Sequence, residues 1–144
     1  MKLINDPKSP TAIGPYSHAV TVGNLLFTSG QIPINPETSS IVEDEIRVQT
    51  EQVINNLASI LQSQDLSLNN IIKTTVFLKD IKEFADFNSV YETRFGSHKP
   101  ARSTIEVASL PLNSRVEFEA VAEIPNLQEE SIDSKNPPPI KTSS

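Results

Sequence analysis

The sequence predicts an α+β domain: one mixed six-stranded sheet carrying two helices on one face. Three observations predict it. Apolar residues recur at helical spacing at Ile46, Val53, Leu57, Ile60 and Leu61, and again at Phe84, Phe87, Tyr91 and Phe95. Short β-branched and aromatic runs stand before, between and after these two stretches. Strands separated by a helix run parallel through a crossover, so both helices are expected on the same side of a single sheet.

The elements follow in order. Residues 2–4 supply a first strand, and residues 6–15 read as a loop rich in Pro, Ser and Thr, closed by Gly14-Pro15. Residues 17–22 and 25–29 are strand-like runs separated only by Gly23-Asn24, which predicts a tight hairpin. Pro33 and Pro36 make residues 30–43 irregular. The helical pattern covers residues 44–64, and residues 71–79 form a β-branched and aromatic strand. Asp80 with Glu83 predicts an acidic capping box opening the second helix, which Gly96 stops. Residues 103–107 and 115–123 complete the sheet, giving the order β-β-β-α-β-α-β-β.

One face of that sheet lies under the helices, which raises the question of the other. Val116, Phe118, Ala120 and Ala122 alternate with Glu117, Glu119, Val121 and Glu123, but Ile71-Ile72 and Leu25-Leu26-Phe27 are apolar at successive positions. Strands of the second kind need cover on both sides. The sequence therefore predicts some oligomer, its copies covering the face without helices.

At 144 residues the chain is long enough for one domain with a real core. The net charge is -6, and -5 without residues 125–144, and no basic run occurs, so the electrostatic footprint of nucleic-acid binding is missing. No run approaches a membrane span, and the N-terminus lacks the apolar region of a secretory leader. The absence of cysteine excludes disulfides and thiol catalysis and is compatible with a reducing cytoplasmic location. His18 and His98 are far apart, with no spacing that suggests a metal. Residues 125–144, with Pro137-Pro138-Pro139 and few apolar side chains, read as a disordered tail behind a domain of residues 1–124.

Four blocks carry a specific resemblance: Gly14-Pro15-Tyr16-Ser17, Thr28-Ser29-Gly30-Gln31-Ile32-Pro33, Pro100-Ala101-Arg102-Ser103 and Val116-Glu117-Phe118-Glu119-Ala120. With residues 73–80 between the second and third, the set resembles the RidA/YjgF (UK114) family of reactive-intermediate deaminases. The resemblance implies a chorismate mutase-like fold, a homotrimer with pockets between subunits, and hydrolysis of enamine or imine intermediates. Substrates of that kind are 2-aminoacrylate and 2-iminopropanoate, the products are 2-oxo acids and ammonia, and no metal or cofactor is involved.

The residues are capable of that chemistry. Arg102 offers a planar fork suited to a carboxylate, and the resemblance gives it the anchoring of the substrate's carboxylate; a salt bridge to Glu117 or Glu119 is the plainer alternative. Glu119 faces away from Phe118 and Ala120, and the resemblance makes it the group that activates water; the alternative is a solvated edge shared with Glu117 and Glu123. By the same resemblance Tyr16, Ser29, Gly30, Phe87, Asn88 and Thr104 contribute substrate contacts, Thr104 standing where several relatives carry cysteine. Tyr16 could equally be a core aromatic and Asn88 a solvent-facing residue, while Ser29 lacks the surroundings of a nucleophile. A ligand sensor using the same Arg102 pocket and a chaperone-like module are the competing functions.

Overall fold

The computed structural model describes residues 1–125, and the tail expected over residues 125–144 lies, from residue 126 on, outside the described residues. Ten regular elements follow one another: β1 (Lys2–Ile4), β2 (Ala19–Val22), β3 (Leu25–Thr28), β4 (Ile34–Asn35), β5 (Ser40–Ile41), α1 (Ile46–Gln62), β6 (Ile71–Leu78), α2 (Phe84–Phe95), β7 (Ala101–Glu106) and β8 (Val116–Glu123). Six strands form one sheet in the order β1-β2-β3-β8-β6-β7. The β6–β7 pair is parallel and the others antiparallel, so the sheet is mixed as expected. The parallel pair is joined by α2, the crossover that parallel strands require.

Local chemistry sets the element ends. Gly23 takes a φ of 60°, which lets a two-residue turn join β2 to β3 with Val22 paired to Leu25. The α1 helix is shorter at both ends than its apolar pattern. Glu45 is its N-cap, the carboxylate accepting from the amides of Arg47 and Val48 at 3.1 and 3.2 Å. At the other end Asp65 is left-handed at φ 59°, and the Leu66 amide donates to the Leu61 carbonyl at 2.9 Å, which closes the helix.

Two expectations need correction. Asp80 and Glu83 do not form a reciprocal capping box: Asp80 caps a 3-10 turn over Ile81–Glu83, accepting from the Lys82 amide. Glu83 instead accepts from Arg115 Nη1 at 2.9 Å, because a charged partner outcompetes a backbone amide. Residues 30–43 are not wholly irregular either, since β4 and β5 make a small antiparallel hairpin. Asn56 of α1 holds that segment, donating to the carbonyls of Ile32 and Ile34 at 3.2 and 3.0 Å.

The core lies between the helices and one sheet face. Val53, Ile54, Leu57, Ile60 and Leu61 of α1 and Phe87 of α2 meet Leu26, Ile71, Val76, Leu78, Val116, Phe118 and Ala122 of the sheet, all fully buried. Among the described residues the opposite face carries no helix. Leu3, Val22, Phe27, Ile72 and Ile105 are exposed on the sheet, an apolar content well above scattered surface residues.

Candidate active site

Arg102 is the second residue of β7, an outer strand of the sheet. It pairs in register with Thr74, which is fully buried under the helices, so the Arg102 side chain rises on the helix face. There α2 presents Phe84, Phe87 and Tyr91 at helical spacing. The guanidinium carbon stands 5.5 Å from the Phe84 ring centre, 5.6 Å from that of Phe87 and 4.7 Å from that of Tyr91. The Tyr91 hydroxyl is 2.7 Å from Thr74 Oγ1. Burial pushes that phenol up, against the opposing effects of the Thr74 hydrogen bond and the Arg102 charge.

Arg102 makes no ion pair with any described carboxylate. The salt bridge to Glu117 or Glu119 that the sequence allowed is therefore not formed. Instead the guanidinium borders a cavity of about 470 Å³ together with Asn88, Tyr91, Phe95, His98 and Lys99. Asn88 thus belongs to the cavity wall, whereas Phe87 lies fully buried beneath it. Thr104 follows Arg102 by two residues on the same face, its hydroxyl oxygen buried without a partner among the described residues. His98 is used structurally, its Nε2 lying 2.6 Å from the Ile71 carbonyl.

A second group of polar residues gathers on the other face. Gln31 and Phe118 exchange backbone hydrogen bonds of 2.9 and 3.2 Å, which lays Gly30 against β8. The absence of a side chain there matters: a Cβ on Gly30 would overlap Glu117 Oε2 and sit 3.0 Å from its Cδ. Glu117 is half-buried in this contact, and burial first, then the charge of Glu119, pushes its carboxyl above the usual carboxylate range. Glu119, two residues on along the same face and paired to Thr75, is exposed.

Ser29 and Tyr16 frame this group. The Ser29 hydroxyl donates to the Ser17 carbonyl at 2.6 Å and its amide to the His18 carbonyl at 2.9 Å, so the side chain is an anchor for the chain rather than a nucleophile. Tyr16 is exposed, not a core aromatic, and shares a small recess with Gly30. His18 is satisfied as a strand-end residue, Nδ1 accepting from the Asp6 amide and Nε2 donating to the Pro10 carbonyl. No group of three or more His, Cys, Asp or Glu side chains suited to a metal occurs among the described residues.

The structure thus divides the sequence candidates into two half-sites. Arg102, Asn88, Phe87 and Thr104 share the helix face at the β7 edge, whereas Glu117 and Glu119 share the open face, with Gly30 against Glu117 and Tyr16 in a recess beside Gly30. Sequence reasoning passed over Glu117 because alternation offers Glu117 and Glu119 alike; only the Gly30 contact separates them. It passed over Phe84 and Tyr91 as site residues because their spacing reads as core.

Comparison with known proteins identifies the family. The Endoribonuclease L-PSP family matches residues 7–124. A RutC family protein of Pyrococcus abyssi is 49% identical over 121 residues, covering 84% of this chain and 95% of that protein. The 2-iminobutanoate/2-iminopropanoate deaminase of Escherichia coli K12 is 44% identical over 124 residues, covering 84% and 96%. The crystal structure of Escherichia coli TdcF with bound serine superposes with a TM-score of 0.82 at 39% identity, covering 87% of this chain and all of that one. The chain belongs to the Endoribonuclease L-PSP family, which is the RidA/YjgF family that its four sequence blocks resemble.

Proposed function

We propose that this protein hydrolyses small enamine or imine carboxylates, such as 2-aminoacrylate and 2-iminopropanoate, to 2-oxo acids and ammonia. The observation that carries the reading is an arginine at the mouth of a cavity with no ion-pair partner among the described residues. It is supported by a deaminase relative at 44% identity and by a similar fold that binds serine, itself a small carboxylate. The family's description as an endoribonuclease finds less support, since the chain has a net charge of -6 and no basic run.

In this reading Arg102 takes the substrate carboxylate through two parallel hydrogen bonds, with Asn88 and Thr104 beside it. A carboxylate from the open-face half-site accepts a proton from water as its oxygen bonds to the imine carbon. The proton passes to the imine nitrogen to give the carbinolamine; the same carboxylate then carries the carbinolamine's hydroxyl proton to that nitrogen, and the C–N bond breaks, releasing ammonia as the ketone forms. The family resemblance puts this role on Glu119. Glu117 is the carboxylate the fold desolvates and seats on Gly30, so we assign it the transfer and leave Glu119 as the neighbouring charge that raises its pKa. Imine hydrolysis is quick in water, so proximity and acid–base terms of a few orders of magnitude suffice.

Arg102 and Glu117 lie on opposite faces of one sheet, so a substrate touching both spans two chains. Closure of the uncovered apolar face by further copies, three in the trimer the family resemblance implies, supplies the second chain.

The test generates 2-aminoacrylate from serine with a dehydratase and traps it with semicarbazide, so that deaminase activity lowers the semicarbazone yield. Arg102→Ala and Glu117→Gln should each abolish this effect while remaining assembled. Coassembled in equal amounts, the two variants should recover about one quarter of wild-type activity, because each shared site needs two intact halves, each present half the time. No activity in the wild type sinks the enzyme reading; no recovery on mixing sinks the shared site.

A further inference from the structure

We propose that the rings of Phe84, Phe87 and Tyr91 form a stacking platform that keeps the Arg102 guanidinium unpaired and edge-on to the cavity, making Phe84 and Tyr91 positioning residues for carboxylate capture. The inference rests on the reading of Arg102 as the carboxylate anchor and adds what holds that anchor in a receptive state.

An arginine meant for a ligand has a difficulty of its own. A carboxylate from the protein would fix the guanidinium but would also occupy its fork. Left free, the long side chain would lose its aim or fold onto the nearest acid. The acid bordering the same cavity is Glu92, and it forms no ion pair with Arg102. Stacking resolves the conflict. Guanidinium faces are weakly hydrated and bind aromatic rings, whereas its N–H groups all lie in the plane and stay available at the edge. A planar carboxylate suits that edge.

The platform is itself braced. Tyr91 stacks on Phe95 at 4.4 Å between centres with 25° between planes, and Phe87 meets Phe118 edge-on at 5.9 Å and 89°. The Tyr91 hydroxyl is tied to Thr74, the residue directly opposite Arg102 across the β6–β7 pair. Ring and guanidinium therefore share one anchoring point on the sheet. Phe84 also finds an explanation, since it is a large aromatic exposed in the first turn of α2, with the Arg102 guanidinium as a polar partner.

Pyruvate, a stable 2-oxo carboxylate, is the probe, titrated calorimetrically into the assembled protein and its variants, with kcat and KM for 2-aminoacrylate measured alongside. Tyr91→Leu should weaken pyruvate binding about tenfold and raise KM by a similar factor, with kcat little changed. Tyr91→Phe, which keeps the ring and drops the hydroxyl, should restore binding. Adding Glu92→Gln to Tyr91→Leu should recover part of the loss by removing the competing acid. Phe84→Leu, at an exposed position with little bearing on folding, should weaken binding in the same direction and covers the case in which Tyr91→Leu does not fold.

Wild-type affinity in Phe84→Leu and Tyr91→Leu would overturn the platform. So would equal losses in Tyr91→Phe and Tyr91→Leu, which would assign the effect to the bond with Thr74. Undiminished pyruvate binding by Arg102→Ala would instead overturn the anchor reading, and the platform with it.

Discussion

Replacing Gly30 with alanine separates catalysis from stability more cleanly than removing any charged group. The added methyl would overlap Glu117 Oε2, stand 3.0 Å from Cδ and 3.3 Å from Cγ. Restoring ordinary carbon–carbon contact requires the carboxylate to retreat by about 1 Å. The backbone has no objection, since Gly30 lies outside the left-handed region that Gly23 and Gly96 occupy. Alanine therefore gains about 0.4–1 kcal/mol through the unfolded chain, offset by about 0.5–1.5 kcal/mol for driving Glu117 off its rotamer. Net stability should barely move, leaving Tm within about 4 °C of wild type. Catalysis has no such compensation: displacing a reacting group by about 1 Å lowers kcat about 100-fold. The semicarbazide assay and a thermal melt on the same sample measure both quantities. Activity within about threefold of wild type would refute the claim that the carboxylate works from its seat on Gly30. A large fall in Tm would refute the account of the backbone.

Other outcomes follow from the same structure. The Glu117 carboxyl is held above its ordinary 4.5, so wild-type stability declines as pH rises from 4.5 through the raised value. Glu117→Gln should therefore be the more stable protein at neutral pH and match wild type below pH 4.5, as read from urea midpoints. Asp6 runs the other way: burial alone would raise its carboxyl, but hydrogen bonds from Ser59, Ser9 and the Lys8 amide hold it below 3.8. Asp6→Asn should cost about 1–3 kcal/mol at neutral pH, the difference closing as acid protonates the wild-type carboxyl below 3.8. Leu57→Ala, at a fully buried α1 position, should cost about 2–5 kcal/mol in urea unfolding without altering KM.

What the sequence made legible was what neighbouring residues decide. Gly23-Asn24 specifies its own turn, and Val53, Leu57, Ile60 and Leu61 declare a buried face without reference to what covers it. Alternation along Val116–Glu123 shows which side chains share a face. It does not say which of Glu117 and Glu119 is desolvated, because that depends on Gly30 arriving through the Gln31–Phe118 bridge from far away in the chain. Glu83 failed as a capping residue for the same reason. Its local amide partner lost to Arg115, a charge brought in from β8's approach. Phe84, Phe87 and Tyr91 read correctly as a helix face, but their second role under Arg102 exists only once β7 lies beside β6.

The two half-sites are kept apart by the pleat itself. Arg102 pairs with Thr74 and Glu119 with Thr75, and successive residues of β6 project to opposite faces. A one-residue slip of the β6–β8 pairing would align the groups but would also turn Val76 and Leu78, or Phe118 and Ala120, out of the core. Loop movement cannot bridge the difference either, because both groups stand on paired strands. A substrate that needs the arginine and the carboxylate together must therefore draw them from different chains, and the apolar face that invites another copy lies on the carboxylate side. On the proposed function, catalysis is then tied to assembly rather than to folding. Dilution below the concentration at which copies associate should abolish turnover while far-ultraviolet circular dichroism remains native, and specific activity that stays constant through dissociation would show that one chain completes the site.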